Sequence, residues 1–382
     1  MEFKLTEDQL MCQNSAREFA QRFITKERME EADRERRVPD DIFQGMCDAG
    51  FAGLIFDPKY GGVGLGMDSY VLTLEQLAGK DPSMSAVLVI SVMFLYAINL
   101  YGTEEQKAKY LPGGIEGKFR GSFAFTEAGT GSDPKQLTTT YKEEEDCFVI
   151  NGVKRFISNA GYEGPIILFA NDSNGENTTA FVFDKFGPGY SLSTAWDTMT
   201  CHASPVYDIF LDEVRIPKDS VLGGIGGGFK ILKGVIAFSK MGVMAQCVGN
   251  MGHAYELAVK YAKEKLHRGK PISKFPTIQT KIAEIAAMHQ SCQLLVYRLA
   301  EHLNDAKPED MGAVIAESGM VKGHVADTGF ICCQKAMSVL GAYGVCGEYE
   351  IERCVRESLQ YPCVEGVGDI QRIMCGSYAL RP

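Results

Sequence analysis

Two segments hold candidate reactive residues. Cys363-Val364-Glu365-Gly366-Val367-Gly368-Asp369-Ile370-Gln371-Arg372 sets a carboxylate among apolar neighbours and glycines. A carboxylate kept from bulk water can act as a general base, although a Glu before Gly is also a common cap or loop residue. The second segment, Phe123-Ala124-Phe125-Thr126-Glu127-Ala128-Gly129-Thr130-Gly131-Ser132-Asp133, ends a strand in a turn dense in hydroxyls and backbone donors. Other nucleophile and phosphate motifs are missing. Gly129-Thr130-Gly131 lacks the third glycine of a dinucleotide fingerprint, and Gly223 to Gly228 lacks the Lys-Ser/Thr of a phosphate loop. There is no G-x-S-x-G and no H-E-x-x-H, and the six histidines do not cluster. The twelve cysteines include no C-x-x-C. They read as small buried hydrophobes in a reducing, cytoplasmic setting, and no metal site is expected.

The secondary structure that carries these residues has a helical, β, helical order. Thr6-Glu7-Asp8-Gln9 and Thr103-Glu104-Glu105-Gln106 are capping boxes, and Pro39-Asp40-Asp41 opens a further helix. Ser85 to Leu100 is apolar but broken by Ser91 and Asn99, which predicts a core helix and not a bilayer span. Short β runs begin near Gly121. Cys147 to Ile150, Asn151-Gly152 and Val153 to Ile157 predict a hairpin, because a type I′ turn needs positive φ at both central residues. Further runs at 166–170, 179–183 and 206–216 predict a sandwich or barrel. Beyond Pro217 helices return. Ile278, Ile282, Ile285, His289, Cys292, Val296, Leu299 and Leu303 alternate spacings of four and three, a seam suited to a bundle or a subunit contact. The basic stretch Lys260 to Lys270 reads as a solvated helix end or as a contact for an anionic cofactor.

The 382 residues carry 39 Lys and Arg against 49 Asp and Glu, a net charge of −10. That balance opposes a general role on nucleic acid or anionic membranes, which need local positive charge. The start, Met1-Glu2-Phe3-Lys4-Leu5-Thr6-Glu7-Asp8, has the pattern of neither a secretory signal nor a mitochondrial presequence.

Over nearly its whole length the chain resembles the acyl-CoA dehydrogenases. Phe125 to Asp133 is similar to the family's T-E-P-G-A-G-S-D, and Phe156-Ile157-Ser158-Asn159 to its W-I-T/S-N. Phe210 to Pro217 resembles the strand that ends the family's β-domain. Gly269-Lys270-Pro271-Ile272 is similar to F-G-K-P-I, Leu340-Gly341-Ala342-Tyr343-Gly344 to L-G-G-x-G, and Val364-Glu365-Gly366 to the catalytic Y-E-G-T. The resemblance implies an α+β chain of three domains: helical at 1–118, a β-barrel at 119–224 and a four-helix bundle at 225–382. It implies FAD, an acyl-CoA substrate, an electron-transferring flavoprotein as redox partner, and a homodimer or homotetramer, which the seam from Ile278 to Leu303 predicts to be joined through the C-terminal helices.

For the site, the resemblance implies that Glu365 removes the α-proton of the thioester while hydride leaves Cβ for the flavin, or that the same groups run the reaction in reverse as a reductase. The Glu365 backbone N–H and a flavin ribityl hydroxyl would hold the thioester oxygen. Phe125, Thr126, Phe156 and Ser158 would lie at the flavin ring, and Ser132 near the flavin or the CoA arm. Lys265, Arg268, Ser338 and Gly341 would lie at the ADP half of FAD. Lys240, where many members have Arg, and Gly366 would face substrate. Phe238-Ser239-Lys240-Met241-Gly242 carries no carboxylate, which favours Glu365 over the alternative position some members use. Five positions depart from the pattern: Lys265 stands for Arg, Arg268 for Phe, Pro276 and Ser338 for Gln, and Val367 for Thr. The ADP half is therefore expected to be held differently and more weakly, since Lys offers a point charge where Arg offers a planar fork. Two alternatives stay open on the sequence: a flavin-independent lyase, hydratase or isomerase acting through Glu365, and a non-catalytic acyl-CoA-binding subunit.

Overall fold

The computed structural model describes residues 4–130, 133, 136–307 and 310–381. Its helices start where side chains satisfy the free backbone N–H groups of a first turn. Thr6 caps α1 (Glu7–Phe23) in a complete capping box, with Thr6 N donating to Gln9 Oε1 at 2.8 Å and Gln9 N to Thr6 Oγ1 at 3.2 Å. After α2 (Lys26–Glu35), α3 (Asp40–Asp48) enters through Pro39, and α4 (Met67–Ala78) comes next. Asp81 caps α5 (Pro82–Tyr101), and a second complete box at Thr103 and Gln106 opens α6 (Glu104–Ile115). At 20 residues α5 is longer than the apolar run alone suggests, and by length and composition it could cross a membrane. It is instead the central core helix, buried from Val87 to Ile98 except for Ile90 and Tyr96.

The middle of the chain forms an eight-stranded sheet. Its strands are β1 (Ser122–Ala124), β2 (Thr140–Glu143), β3 (Cys147–Ser158), β4 (Pro165–Asp172), β5 (Thr178–Asp184), β6 (Tyr190–Leu192), β7 (Val206–Pro217) and β8 (Val221–Leu222). The order is β6-β7-β3-β2-β4-β5-β8, and β1 pairs in parallel with β4. The hairpin predicted at Asn151-Gly152 is corrected here: β3 runs straight through both residues, paired with β7 on either side of a register shift. Tertiary partners outweigh the turn propensity. The Asn151 amide donates to Glu213 Oε1 at 2.6 Å and its side-chain carbonyl accepts from Glu213 N at 2.8 Å. Gly152 is needed for another reason, since a Cβ there would lie 2.5 Å from Thr139 Oγ1.

The C-terminal part is α7 (Gly228–Glu264), a small hairpin β9 (Leu266–His267) and β10 (Lys270–Pro271), α8 (Pro276–Asp305), α9 (Met311–Leu340), α10 (Ile351–Ser358) and α11 (Gly368–Ala379). Three helices of at least 30 residues pack together, and the two short ones take the remaining place. The predicted seam on α8 closes largely within the chain. Ile285, Cys292, Val296 and Leu299 are buried in the core that also holds α7, α9 and α4 residues.

Candidate active site

The first part of the site is the end of β3. A second register shift between Lys154 and Ile157 forms a bulge, and Phe156 takes φ +57°. The bulge turns the Phe156 ring outward, 50% exposed, with its centroid 5.1 Å from that of Trp196. Bulges are a common device for re-aiming a side chain at a functional rim. The chain just beyond Phe156 is tied down firmly. The buried Asn159 amide donates to Val87 O, Ser91 Oγ and Gly121 O, and Lys185 Nζ donates to Asn159 O, Arg120 O and Ser122 Oγ. Beneath the bulge lies a buried ion pair: Lys154 Nζ stands 2.7 Å from Glu127 Oε1. Thr138 N, Thr138 Oγ1 and Thr139 N also donate to the Glu127 carboxylate. Burial would raise the Glu127 pKa, but Lys154 and the threonine donors outweigh it and hold the carboxyl well below the usual range. This network fixes the loop that carries Phe125 and Thr126. The Phe125 carbonyl accepts from Lys154 Nζ and the Thr126 carbonyl from Arg155 N. The Thr126 and Ser158 hydroxyls bond to no other described residue. Ser132 lies outside the described residues.

The second part is the turn between α10 and α11. Cys363 N and Val364 N donate to Gln360 O, and Gly368 N closes the turn onto Pro362 O. Glu365 and Gly366 take φ +52° and +88°, two consecutive left-handed residues. The Gly366 position favours glycine, because φ +88° is a backbone conformation that L side chains rarely adopt. The turn delivers the Glu365 carboxylate to α7, where Ser239 Oγ donates to Glu365 Oε2 at 2.5 Å. Lys240 is fully buried, and its Nζ has no hydrogen-bond partner among the described residues. Burial brings the Lys240 pKa down to about 8 against the opposing pull of the Glu365 charge, and Lys322 adds repulsion. The Glu365 backbone N–H donates to no other described residue.

A loop joins the two parts. Trp196 Nε1 donates to Asp208 Oδ1 at 2.9 Å, and Arg36 binds the Trp196 carbonyl and Asp197. Further along, Cys201 N donates to both oxygens of Glu357 on α10, and Arg356 Nη1 reaches Met199 O. The aromatic rim of β3 is thus tied to the helix that leads into the Glu365 turn.

Lys265, Arg268, Ser338 and Gly341 form a separate, exposed corner. Arg268 and Gly269, both at positive φ, make the tip of the β9–β10 hairpin. Lys265 Nζ sits 5.0 Å from the centre of the Tyr343 ring, and Tyr343 lies beside Tyr349 and Tyr261. Ser338 Oγ accepts from Lys281 Nζ at 3.0 Å. Gly341 ends α9 at φ +61° with open space where a Cβ would stand. Sequence reasoning named neither Trp196, Lys281 nor Lys322. Lys322 carried a signal, being a lysine inside the apolar face of α9 beside Val321 and Val325. Trp196 and Lys281 meet the site only through tertiary contact.

Sequence profiles of the acyl-CoA dehydrogenase N-terminal, middle and C-terminal domains match residues 6–118, 122–214 and 226–379. A 3-(aryl)acrylate reductase of Clostridium sporogenes is 32% identical, over 98% of this chain and 99% of that protein. An acryloyl-CoA reductase (NADH) of Anaerotignum propionicum is also 32% identical, over 98% and 95%. A solved structure described as an electron transferring flavoprotein of Acidaminococcus fermentans superimposes with a TM-score of 0.95 at 33% identity, covering 100% of both chains.

Proposed function

The chain belongs to the acyl-CoA dehydrogenase family, and we propose that Glu365 is its proton-transfer group at the thioester α-carbon. The protein is an oxidoreductase of the CH–CH bond of acyl-CoA thioesters, and its cofactor is FAD. The observation that carries the proposal is the turn between α10 and α11, which aims its one carboxylate, Glu365, at α7 beside Ser239 and the buried Lys240.

The residues present fit FAD. The exposed Phe156 ring suits one face of a planar heterocycle, and the unpaired Thr126 and Ser158 hydroxyls suit its polar edge. Phe125 supports that loop. When bound, FAD accepts or supplies the hydride at Cβ. Everything else falls to the chain. Glu365 takes the α-proton in oxidation and returns it in reduction. Its free backbone N–H donates to the thioester oxygen as charge develops there, which stabilises the enolate. Gly366 keeps that backbone approach open, and Lys240 balances the negative charge. The reductase names of the two relatives favour the reducing direction, with a conjugated enoyl-CoA as substrate.

At the far corner, Lys265 would offer the pyrophosphate a point charge and Arg268 a planar guanidinium. Ser338, already bonded to Lys281, and Gly341 would flank the adenosine. An electron-transferring flavoprotein is the redox partner, a reading supported by a 30% identical relative, the caffeyl-CoA reductase-Etf complex subunit CarC of Acetobacterium woodii. A homodimer or homotetramer forms through exposed apolar side chains of α8, α9 and α11, among them Leu294, Ile331 and Ile373, and not through the α8 seam. The flavin-free lyase reading has no observation in its favour.

The test is turnover of purified protein on a panel of saturated and 2-unsaturated acyl-CoAs, monitored by flavin absorbance. Glu365→Gln should bind flavin and acyl-CoA normally and lose about 10²–10⁴-fold in turnover. Wild-type turnover in that variant would refute the assignment.

A further inference from the structure

The Glu365 turn uses two left-handed residues in succession, one of them a non-glycine, and such a backbone persists only where its surroundings hold it. Among the described residues, the polar group that holds it most closely comes from α9. Lys322 is fully buried, and its Nζ donates to Gly366 O at 2.6 Å and to Pro362 O at 3.4 Å, one carbonyl on either side of Glu365. Gln371 Nε2 adds a longer contact to Glu365 O at 3.5 Å. Small residues on α9 let this happen. A Cβ at Gly319 would sit 3.2 Å from Gln371 O, so α11 and its preceding turn lie close against the helix.

We propose that Lys322 is a positioning residue for the reaction, clamping the Pro362–Gly366 turn so that the Glu365 carboxylate points at the substrate's α-carbon. This rests on the reading of Glu365 as the proton-transfer group. Lys240 does not share the task, because its Nζ bonds to no carbonyl among the described residues. Burial pulls the Lys322 pKa down, opposed by the Glu365 charge, so the ammonium is held in a place that disfavours it. An apolar residue of similar volume would remove that cost but leave the Gly366 and Pro362 carbonyls without their donor, so stability alone does not separate the two roles. A lysine that served only the fold would lower stability on replacement by methionine and leave the kcat of the folded enzyme unchanged.

The test compares Lys322→Met, Lys322→Gln and Glu365→Gln in flavin-loaded protein, using the best acyl-CoA of the panel. A displacement of about 1 Å at a reacting group costs roughly 10²-fold. Lys322→Met should therefore lower kcat about 100-fold with KM and flavin content unchanged. Lys322→Gln keeps N–H donors for the Gly366 carbonyl and should recover at least tenfold of that loss. Wild-type kcat in Lys322→Met, an equal loss in both Lys322 variants, or a change confined to KM would each overturn the proposal. If Lys322→Met does not fold, Lys322→Gln decides alone: a several-fold loss of kcat at constant KM supports the clamp, and wild-type kcat overturns it. Turnover by Glu365→Gln would instead overturn the base assignment, so the two failures are distinguishable.

Discussion

The Glu365 side and the Lys265 corner are built on opposite plans. Around Glu365 and Phe156, polar groups are buried, multiply bonded and held by helices from both ends of the chain: α5 through Asn159, α7 through Ser239 and α9 through Lys322. Around Lys265, the side chains are exposed and engaged with one another, Lys265 over Tyr343 and Lys281 on Ser338. The first arrangement is preorganised for charge that develops in a transition state, where misplacement is expensive. The second offers cations and an aromatic surface that screen easily and rearrange easily. The five departures from the family pattern fall on or beside the second plan except Val367, which sits in the Glu365 turn but contributes no polar side chain to it. A chain can vary where its groups only add binding and is constrained where they aim a proton.

Lys154→Met should produce the largest effect on the buried side, because it strands the Glu127 carboxylate without its partner. Breaking a buried pair costs about 3–5 kcal/mol, read as a fall in unfolding free energy. The same pair sets an acid limit. The Glu127 pKa lies below its ordinary value of 4.5 in the fold, so its contribution is complete above that value. The contribution is lost as pH falls through the folded-state pKa. Wild type should therefore lose stability on acidification more steeply than Lys154→Met; parallel acid curves would contradict the network's role.

A smaller effect separates the two sides by ligand. Lys265→Ala should weaken FAD roughly tenfold and leave FMN binding unchanged, as measured by titration of apo-protein, because FMN lacks the adenosine half. Equal loss for both flavins would show that the corner is not an adenosine contact. Smaller again, Ser158→Ala removes one neutral hydrogen bond and should weaken FAD and FMN alike by about two- to fivefold. A loss confined to FAD would erase the contrast between the regions.

Much of this was legible in the sequence because it is local. Both capping boxes, the core helix and the helical–β–helical order follow from spacing and turn chemistry within a few residues. Glu365 stood out for the same reason, as an acid among glycines. The features that stayed hidden depend on partners far along the chain. Asn151-Gly152 read as a turn, yet Glu213, 62 residues away, keeps the strand straight. Ser239 carries no carboxylate and has no local signal, yet it is the donor that receives Glu365 from 126 residues away. The α8 seam left a bundle and a subunit contact equally open, and only the tertiary packing shows that α7, α9 and α4 cover most of it.

The α-hydrogen itself reports on the role of Glu365. Flavin-loaded protein is incubated in D₂O with a saturated acyl-CoA substrate and no electron acceptor, and deuterium in the recovered thioester is measured by mass spectrometry. With Glu365 as the proton-transfer group, wild type incorporates one deuterium at Cα, and Glu365→Gln does so at least about 10²-fold more slowly. Incorporation at the wild-type rate in Glu365→Gln would place the proton transfer on another residue and contradict the assignment.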